Sequence, residues 1–171
     1  QQLRDHAASL KIPARCVDSH HFLAARDDVA RFFGARKRWT MELFYRHMRQ
    51  RHGVLLELDG SPLGGRWNFD AENRKPWRGD PPEPPDLRPV HDHRALWASI
   101  EAAGVASFGE PSAGAFRWPI DREEALGQLD AFVEHALPHF GDYQDALSSR
   151  AARLFHSLLS FALNVKMLSP A

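Results

Sequence analysis

The sequence predicts a mainly α-helical chain with a small α/β remnant near its start. Over most of the chain, apolar residues recur at helical spacing between capping residues and glycine stop signals, whereas strand-like stretches are few and short. Of the 171 residues, 43% are hydrophobic and 26% are charged. This composition is typical of folded globular domains and excludes disorder throughout.

The first elements have the pattern with which an α/β unit ends. Residues 1–10 resemble the end of a helix, and the apolar stretch 13–17 predicts a short buried strand. Cys16 lies in this stretch, so we expect a buried structural thiol rather than a nucleophile. A single cysteine excludes an internal disulfide and indicates a reducing compartment, so we expect a cytoplasmic location.

Two helices and a second short strand are predicted next. The acidic pair 27–28 predicts the cap of a short helix that stops at Gly34. Residues 40–53 predict an amphipathic helix, because apolar residues follow i, i+3, i+4, i+7 while the arginines lie mainly off that stripe. Residues 54–58 predict a strand before a turn at 59–60.

Seven prolines between residues 60 and 90 predict a long extended connection. Loops of this length are usually functional or join domains, so we place a domain boundary here. The expected division is 1–58 for the α/β part and the helices that follow it, 59–91 for the linker, and 92–171 for a helical part.

Three helices are predicted after the linker. Asp92 predicts a helix that ends near Gly104, and a capping-box-like pair, Asp121 and Glu124, predicts another that Pro138 and Gly141 end. Residues 154–168 predict a helix that is apolar on nearly all sides and therefore buried.

Several function classes lack their signals. The formal net charge is zero, and no apolar run approaches the roughly 18 residues of a membrane helix, so no membrane partner is expected. Ten histidines occur without a zinc-binding helix motif, and neither a P-loop nor a dinucleotide fingerprint is present. The sequence therefore assigns neither a catalytic residue nor a metal ligand.

Charge is nevertheless segregated along the chain. Residues 31–51 contain seven basic residues and one acid, whereas residues 121–145 contain seven acids and one basic residue. The basic segment predicts phosphate contacts, and the alternative is a solvated helix face with its aromatic residues in the core. The candidates for DNA contact in it are Arg36, Lys37, Arg38, Arg46 and Arg49.

Residues 64–76 have neither helical nor strand periodicity and combine two glycines with aromatic, acidic, amide and basic side chains. We expect an ordered loop in which Arg66 and Arg74 pair with Asp70 and Glu72. The loop either contacts DNA or clasps two domains together. Its candidates for DNA contact are Arg66, Trp67, Asn73 and Arg74.

Four segments carry a resemblance to a known family: 36–49 (RKRWTMELFYRHMR), 64–76 (GGRWNFDAENRKP), 140–146 (FGDYQDA) and 154–164 (LFHSLLSFALN). In this order they resemble the iron–sulfur bacterial branch of the cryptochrome/photolyase family, the deoxyribodipyrimidine photolyase-related proteins. The resemblance implies a two-domain parent about three times as long. This chain would then be an internal fragment that holds the end of the antenna domain, the linker and the first helices of the FAD domain. A start without Met fits that expectation.

The resemblance implies FAD, a 4Fe-4S cluster and a lumazine-type antenna chromophore in the parent, with most of their contacts outside this chain. It implies damaged DNA and the remainder of its own polypeptide as partners, and light-driven repair, of the (6-4) photoproduct type, by electron transfer. The fragment alone is expected to be inactive. Two alternatives remain: a light-sensing cryptochrome without repair, and a non-enzymatic nucleic-acid-binding or interaction module.

One flavin element falls inside the chain by this resemblance. The family presents small hydroxyl residues at the start of a buried helix, behind a tyrosine, to the phosphates and ribityl chain of FAD. His156 departs from the pattern by replacing a small hydroxyl residue. The matching positions are Tyr143, His156, Ser157, Leu159 and Ser160.

Overall fold

A computed structural model describes residues 2–15, 17–19 and 21–170. These residues form seven α-helices, one short 3-10 helix and two isolated β-bridges. The mainly helical fold class is therefore confirmed. The chain divides into two compact units, Gln1–Gly65 with Ser169–Ala171 and Arg66–Leu168. The point of division lies inside the predicted linker.

The first unit holds three helices, and all three were predicted. The second helix stops at Gly34, and the third begins after Thr40, whose backbone is extended. Gly53 ends the third helix with φ +64°, a left-handed conformation that favours glycine. The helices are α1 (Gln2–Ser9), α2 (Asp28–Phe33) and α3 (Met41–His52).

Aromatic side chains of α2 and α3 form the core of the first unit. Phe33 and Phe44 are buried, and the ring of Phe32 stacks on His47 with centroids 4.5 Å apart. Asp28 is buried beside them and accepts hydrogen bonds from the Ala25 backbone N–H and from Arg51. These two donors hold the pKa of Asp28 below its ordinary value of 3.8.

The strand predicted at 13–17 is wrong for the residues that the structure describes. Residues 12–15 and 17–19 have no regular structure, and Val17 is 66% exposed. A short apolar stretch becomes a strand only where a partner strand supplies backbone hydrogen bonds. Cys16, for which a buried thiol was predicted, lies outside the described residues.

The strand predicted at 54–58 is also wrong, since it shrinks to one antiparallel bridge between Leu56 and Pro62. The turn predicted between them is confirmed. Gly60 has φ +81°, and the backbone N–H of Ser61 donates to the side chain of Asp59 at 2.8 Å.

The second unit contains the remaining helices and most of the proline-rich stretch. No helix or strand occurs between residues 63 and 90, all of which are described, as the proline density predicts. A bridge between His91 and Phe116 follows. The helices are α4 (Arg94–Ala102), the 3-10 helix (Ala113–Ala115), α5 (Arg122–His135), α6 (Leu137–Tyr143) and α7 (Ser160–Asn164).

The start of α5 follows the sequence prediction, but its end does not. Asp121 caps the helix by accepting from the Glu124 N–H at 2.9 Å. Glu124 in turn accepts from the N–H of Ile120, one residue before the cap, at 3.0 Å. Pro138 and Gly141 do not end α5. They lie within α6, because proline is tolerated in the first turn of a helix.

The helix predicted at 154–168 is wrong at both ends, since α7 has only five residues. Leu154 and Leu158 adopt left-handed backbone conformations, with φ +48° and +56°, so the chain turns here before α7 begins. The expected burial holds in part: Leu154 and Phe155 are buried, and Trp77 of the proline-rich stretch packs against them.

Candidate functional site

The predicted flavin contacts all lie in the second unit, on α6, on the turn before α7 and at the first residue of α7. The ring of Tyr143 stacks on Phe155 with centroids 5.3 Å apart, and its hydroxyl donates to the carbonyl of Asp80 at 3.3 Å. The hydroxyl of Ser157 accepts from the N–H of Leu159 at 3.4 Å. Ser157 therefore belongs to a turn that precedes α7, whereas Ser160 is the first residue of that helix.

A narrow cleft of about 40 Å³ opens beside this turn. A space of this size holds a few water molecules or a group comparable to a phosphate, not a three-ring system. His156 and Ser157 are the predicted contacts that line it. Other polar lining residues are Arg88, Gln128 and Arg153.

A carboxylate organises the arginines beside the cleft. Asp86 accepts two hydrogen bonds from the guanidinium of Arg88, at 2.8 and 2.9 Å, a third from the Arg88 backbone N–H at 3.3 Å, and one from Arg117 at 2.6 Å. Arg153 lies 3.7 Å from Asp86 and 3.6 Å from Glu83. The hydrogen bonds from Arg88, aided by the charge of Arg153, hold the pKa of Asp86 well below 3.8.

Three guanidinium groups thus face two carboxylates in this network, and the two members of it that line the cleft itself, Arg88 and Arg153, are both cations. An anionic group in the cleft is electrostatically favoured. Sequence reasoning missed this network. Its only local signal is the Asp86-x-Arg88 pair inside the proline-rich stretch, because Arg117 and Arg153 are distant in sequence.

Gln128 contributes a buried polar group to the same cleft. Its side-chain nitrogen donates to the carbonyl oxygens of Ser157 and Leu158, at 3.2 and 2.8 Å. Its side-chain oxygen is buried and has no hydrogen-bond partner among the described residues. Because a buried acceptor left unpaired is costly, a donor from water or from a ligand is expected there.

The first unit holds the basic segment, and its seven basic residues divide into two groups. Arg31 pairs with Asp27 and Asp28 at the start of α2, Arg51 pairs with Asp28, and Arg46 pairs with Glu42. Arg49 is buried and donates to the carbonyl oxygens that follow α3, those of Val54 (3.2 Å) and Leu55. The three consecutive residues Arg36, Lys37 and Arg38 are exposed and make no ion pair with any described residue.

Trp39 follows this exposed triplet and is held in place by the core. Its ring lies parallel to Phe33, with centroids 5.4 Å apart and planes 8° apart, and its N–H donates to the carbonyl of Arg36 at 3.2 Å. The indole is nevertheless 56% exposed. One face of the ring packs in the core, and the residue as a whole presents surface next to the basic side chains.

The loop at 64–76 is held by polar bonds. Arg66 pairs with Glu72, and its guanidinium lies 4.4 Å from the ring centroid of Phe69. The side chain of Asn68 accepts from the N–H of Asp70 at 2.7 Å, a bond within the turn. Of the two ion pairs expected for the loop, the one made by Arg66 is confirmed.

The end of the loop is fixed to the C-terminal end of α6. Arg74 pairs with Asp145 at 3.4 Å, rather than with either acid of the loop as predicted. Lys75 pairs with Asp142 at 2.8 Å, and the carbonyl of Asn73 accepts from the N–H of Asp145 at 3.2 Å. The basic end of the loop therefore meets part of the acidic stretch 121–145.

Two findings concern metals and membranes. Among the described residues, no three acidic, histidine or cysteine side chains come together as a metal site. No helix in that part of the chain has the length and apolarity needed to cross a bilayer.

Comparison with known proteins gives two matches. The family model described as deoxyribodipyrimidine photo-lyase-related protein matches residues 1–118. A protein described as a (6-4) photolyase, from Agrobacterium fabrum (strain C58 / ATCC 33970), is 38% identical over 164 residues. That alignment covers 95% of this chain and 32% of the relative, so the chain spans about a third of the relative's length.

Proposed function

The chain belongs to the deoxyribodipyrimidine photo-lyase-related protein family, and from this premise we propose that it is part of a light-dependent DNA photolyase that repairs (6-4) pyrimidine photoproducts. The similarity to a (6-4) photolyase over nearly the whole chain carries the proposal. Activity would belong to the longer protein, since this chain corresponds to only 32% of the relative. We call that longer protein the parent.

The proposed cofactor is FAD, and the turn before α7 is its phosphate side. When bound, FAD supplies the light-driven electron transfer to the lesion. The residues present fit its phosphate and ribityl parts, because the cleft has excess positive charge, a serine hydroxyl at Ser157 and an unpaired buried acceptor on Gln128. The cleft is too narrow for the ring system, which would be bound by other parts of the parent.

Within this site, the hydroxyl of Ser157 would donate a hydrogen bond to a phosphate oxygen, and Arg153 would neutralise part of the phosphate charge. Tyr143 would keep the turn in place through its stacking on Phe155. The exposed position of His156 is compatible with a phosphate contact by its ring. Leu159 would shape the turn, and Ser160 would offer a second hydroxyl.

The proposed DNA surface in the first unit is the exposed triplet Arg36, Lys37 and Arg38. These side chains make no ion pair with a described residue, so no described carboxylate competes with a phosphate for them, and the guanidinium of Arg36 lies 5.2 Å from the ring centroid of Phe32. Arg46 and Arg49 already bind Glu42 and two backbone carbonyls, which supports a structural role for both.

In the second unit, residues 66–76 of the loop at 64–76 are the proposed contact with the damaged strand. Trp67 is half-buried and Asn73 has a side-chain oxygen that is buried without a hydrogen-bond partner among the described residues. Arg66 and Arg74 remain more than half exposed within their ion pairs, with 55% and 75% of the side chain accessible. An aromatic side chain with amide and guanidinium groups suits an unpaired base and its phosphates.

The 4Fe-4S cluster and the lumazine-type chromophore are proposed for the parent, with ligands outside this chain. We place the parent in the cytoplasm, because its proposed substrate is DNA and the single cysteine of the chain indicates a reducing compartment. The remainder of its own polypeptide is the proposed partner of this chain.

The test uses the full-length parent with Ser157→Ala and Ser160→Ala combined. The double variant should lose FAD on dialysis, since each hydrogen bond removed is worth about 1 kcal/mol and nearer 2 with a charged acceptor. A control with Ser107→Ala and Ser149→Ala, two exposed serines, should keep it. Blue-light repair of an oligonucleotide that carries a (6-4) photoproduct completes the test. Flavin binding without repair would indicate a photoreceptor, and DNA binding without flavin an interaction module.

A further inference from the structure

The turn before α7 has a backbone that its own sequence does not favour. Leu154 and Leu158 have φ values of +48° and +56°, in the left-handed region that β-carbon-bearing residues rarely adopt. Such conformations persist only where neighbouring groups hold them, and they are common at ligand-binding sites. A residue outside the turn must therefore fix it.

Gln128 makes two hydrogen bonds to this turn from outside it. It lies on α5, is 8% exposed, and donates hydrogen bonds from its side-chain nitrogen to two carbonyl oxygens of the turn. The acceptors are the carbonyl oxygens of Ser157 and Leu158, at 3.2 and 2.8 Å. These two carbonyls belong to the peptide bonds before and after the Cα of Leu158. Two bonds from one amide fix the orientation of both carbonyls, and hence of the N–H groups that follow them.

The oxygen atom of the same amide group indicates a ligand. The Gln128 side-chain oxygen is buried without a partner among the described residues, and Gln128 lines the cleft beside Ser157. A hydroxyl in the cleft would satisfy this acceptor. The amide can thus hold the turn through its nitrogen and receive a ligand hydroxyl through its oxygen.

We propose that Gln128 is a positioning residue for cofactor binding, which orients the Ser157–Leu158 turn and accepts a hydrogen bond from a cofactor hydroxyl. This inference rests on the proposed flavin function and adds a residue from a different helix to it. Because the amide would act on the phosphate and ribityl side alone, it should affect FAD but not lumiflavin, which has the ring without the ribityl chain or phosphates.

The experiment measures dissociation constants of FAD and lumiflavin for the flavin-free full-length parent. Gln128→Met keeps the length of the side chain but removes both donors and the acceptor, and Gln128→Glu removes the donors and adds a negative charge. In each variant the dissociation constant of FAD should rise about tenfold, and that of lumiflavin should stay unchanged. Gln50→Met, at an exposed position of α3, is the matched control and should change neither value.

A purely structural role for Gln128 predicts that both dissociation constants rise together, and that result, or no change in either, overturns the inference. If Gln128→Glu fails to fold, Gln128→Met still tests it without a buried charge. In the unaltered parent, amide hydrogen exchange at 157–160 should slow when FAD is added, and unchanged exchange also overturns it. If the serine double variant loses FAD and the Gln128 variants do not, only the role of Gln128 fails. If neither the serine double variant nor the Gln128 variants lose FAD, the flavin site lies elsewhere in the parent.

Discussion

Lys75 and Asp142 are joined through both their side chains and their backbones. The ammonium nitrogen of Lys75 lies 2.8 Å from a carboxylate oxygen of Asp142, and the backbone N–H of Lys75 donates to the backbone carbonyl of Asp142 at 3.1 Å. The hydrogen bond to Asp142 raises the pKa of Lys75 above its ordinary value of 10.5. Asp142 directly precedes Tyr143, a residue of the proposed flavin site. The contact with Lys75 therefore attaches the loop at 64–76 to the helix that carries Tyr143.

Lys75→Met should lower the melting temperature of the parent slightly, and the loss should shrink as salt concentration is raised. The substitution removes the side-chain pair and keeps the backbone bond. Because both side chains are about half exposed, salt screens their attraction. Thermal unfolding at low and high salt measures the effect, with Lys37→Met as an unpaired control. A large loss that is independent of salt would mean that Lys75 acts by packing.

Asp86→Asn should destabilise the parent at neutral pH by about 2 kcal/mol, because charge-assisted hydrogen bonds to the arginines are lost. The pKa of Asp86 is depressed in the folded state, so its contribution is fully present above 3.8 and declines as pH falls below that value. The difference between the two proteins should therefore shrink in acid.

Denaturant unfolding across the acid range checks this prediction for Asp86. Asp92→Asn is a matched control, because Arg94 likewise lowers the pKa of Asp92, to about 2, at a more exposed site. Its effect at neutral pH should be smaller. The role given to Asp86 would be contradicted if both variants lost the same free energy of unfolding. It would also be contradicted if the difference in stability between Asp86→Asn and the unaltered parent widened as the pH falls.

The helix ends near Gly34, Gly53 and Asp121 could be predicted because the signals are local. Each cap involves residues within one turn of the helix that it ends. The strands could not be predicted reliably, because a strand forms only beside a partner strand. The apolar pattern of one segment does not show whether such a partner exists. The residues at 12–15 and 17–19 have the composition for a strand without a partner among the described residues.

The turn before α7 could not be predicted because its cause is distant in sequence. An apolar run such as 154–168 looks the same whether it forms a helix or a buried turn. The conformation of Leu158 depends on Gln128, about 30 residues away. Similarly, the sequence predicted a role for Ser157 but not for the arginines around Asp86, which come from three separate segments.

The basic segment offers a comparison between an exposed and a buried arginine. Arg36→Gln should lower the dependence of DNA affinity on salt by about 0.9 in logarithmic slope, as expected for one lost phosphate contact. Arg49→Gln should leave that slope unchanged and lower the melting temperature, because two carbonyl oxygens lose a buried donor.

Binding of duplex DNA by the parent at several salt concentrations, together with thermal unfolding, measures both arginine variants. Lys37→Gln and Arg38→Gln should behave like Arg36→Gln. If all three exposed residues leave the slope intact, the segment is a solvated surface and DNA binds elsewhere.

Trp67→Ala should reduce the preference of the parent for damaged over undamaged DNA by about tenfold, since stacking on an unpaired base is worth about 1 to 3 kcal/mol. Arg74→Ala should reduce it less, because Arg74 would contribute charge rather than stacking. Its ion pair with Asp145 is 75% exposed on the arginine side, so stability should hardly change. Phe108→Ala, at a fully exposed loop position, is the control.

Two measurements on these variants separate a lesion contact from a structural clasp. Lesion contact lowers the ratio of affinities for damaged and undamaged duplexes while the melting temperature stays near that of the unaltered protein. A structural clasp would lower the melting temperature and leave the affinity ratio unchanged, because the loop would only hold α6 through Lys75 and Arg74. A stability loss in Trp67→Ala with the affinity ratio intact would therefore leave the loop at 64–76 with a structural role alone.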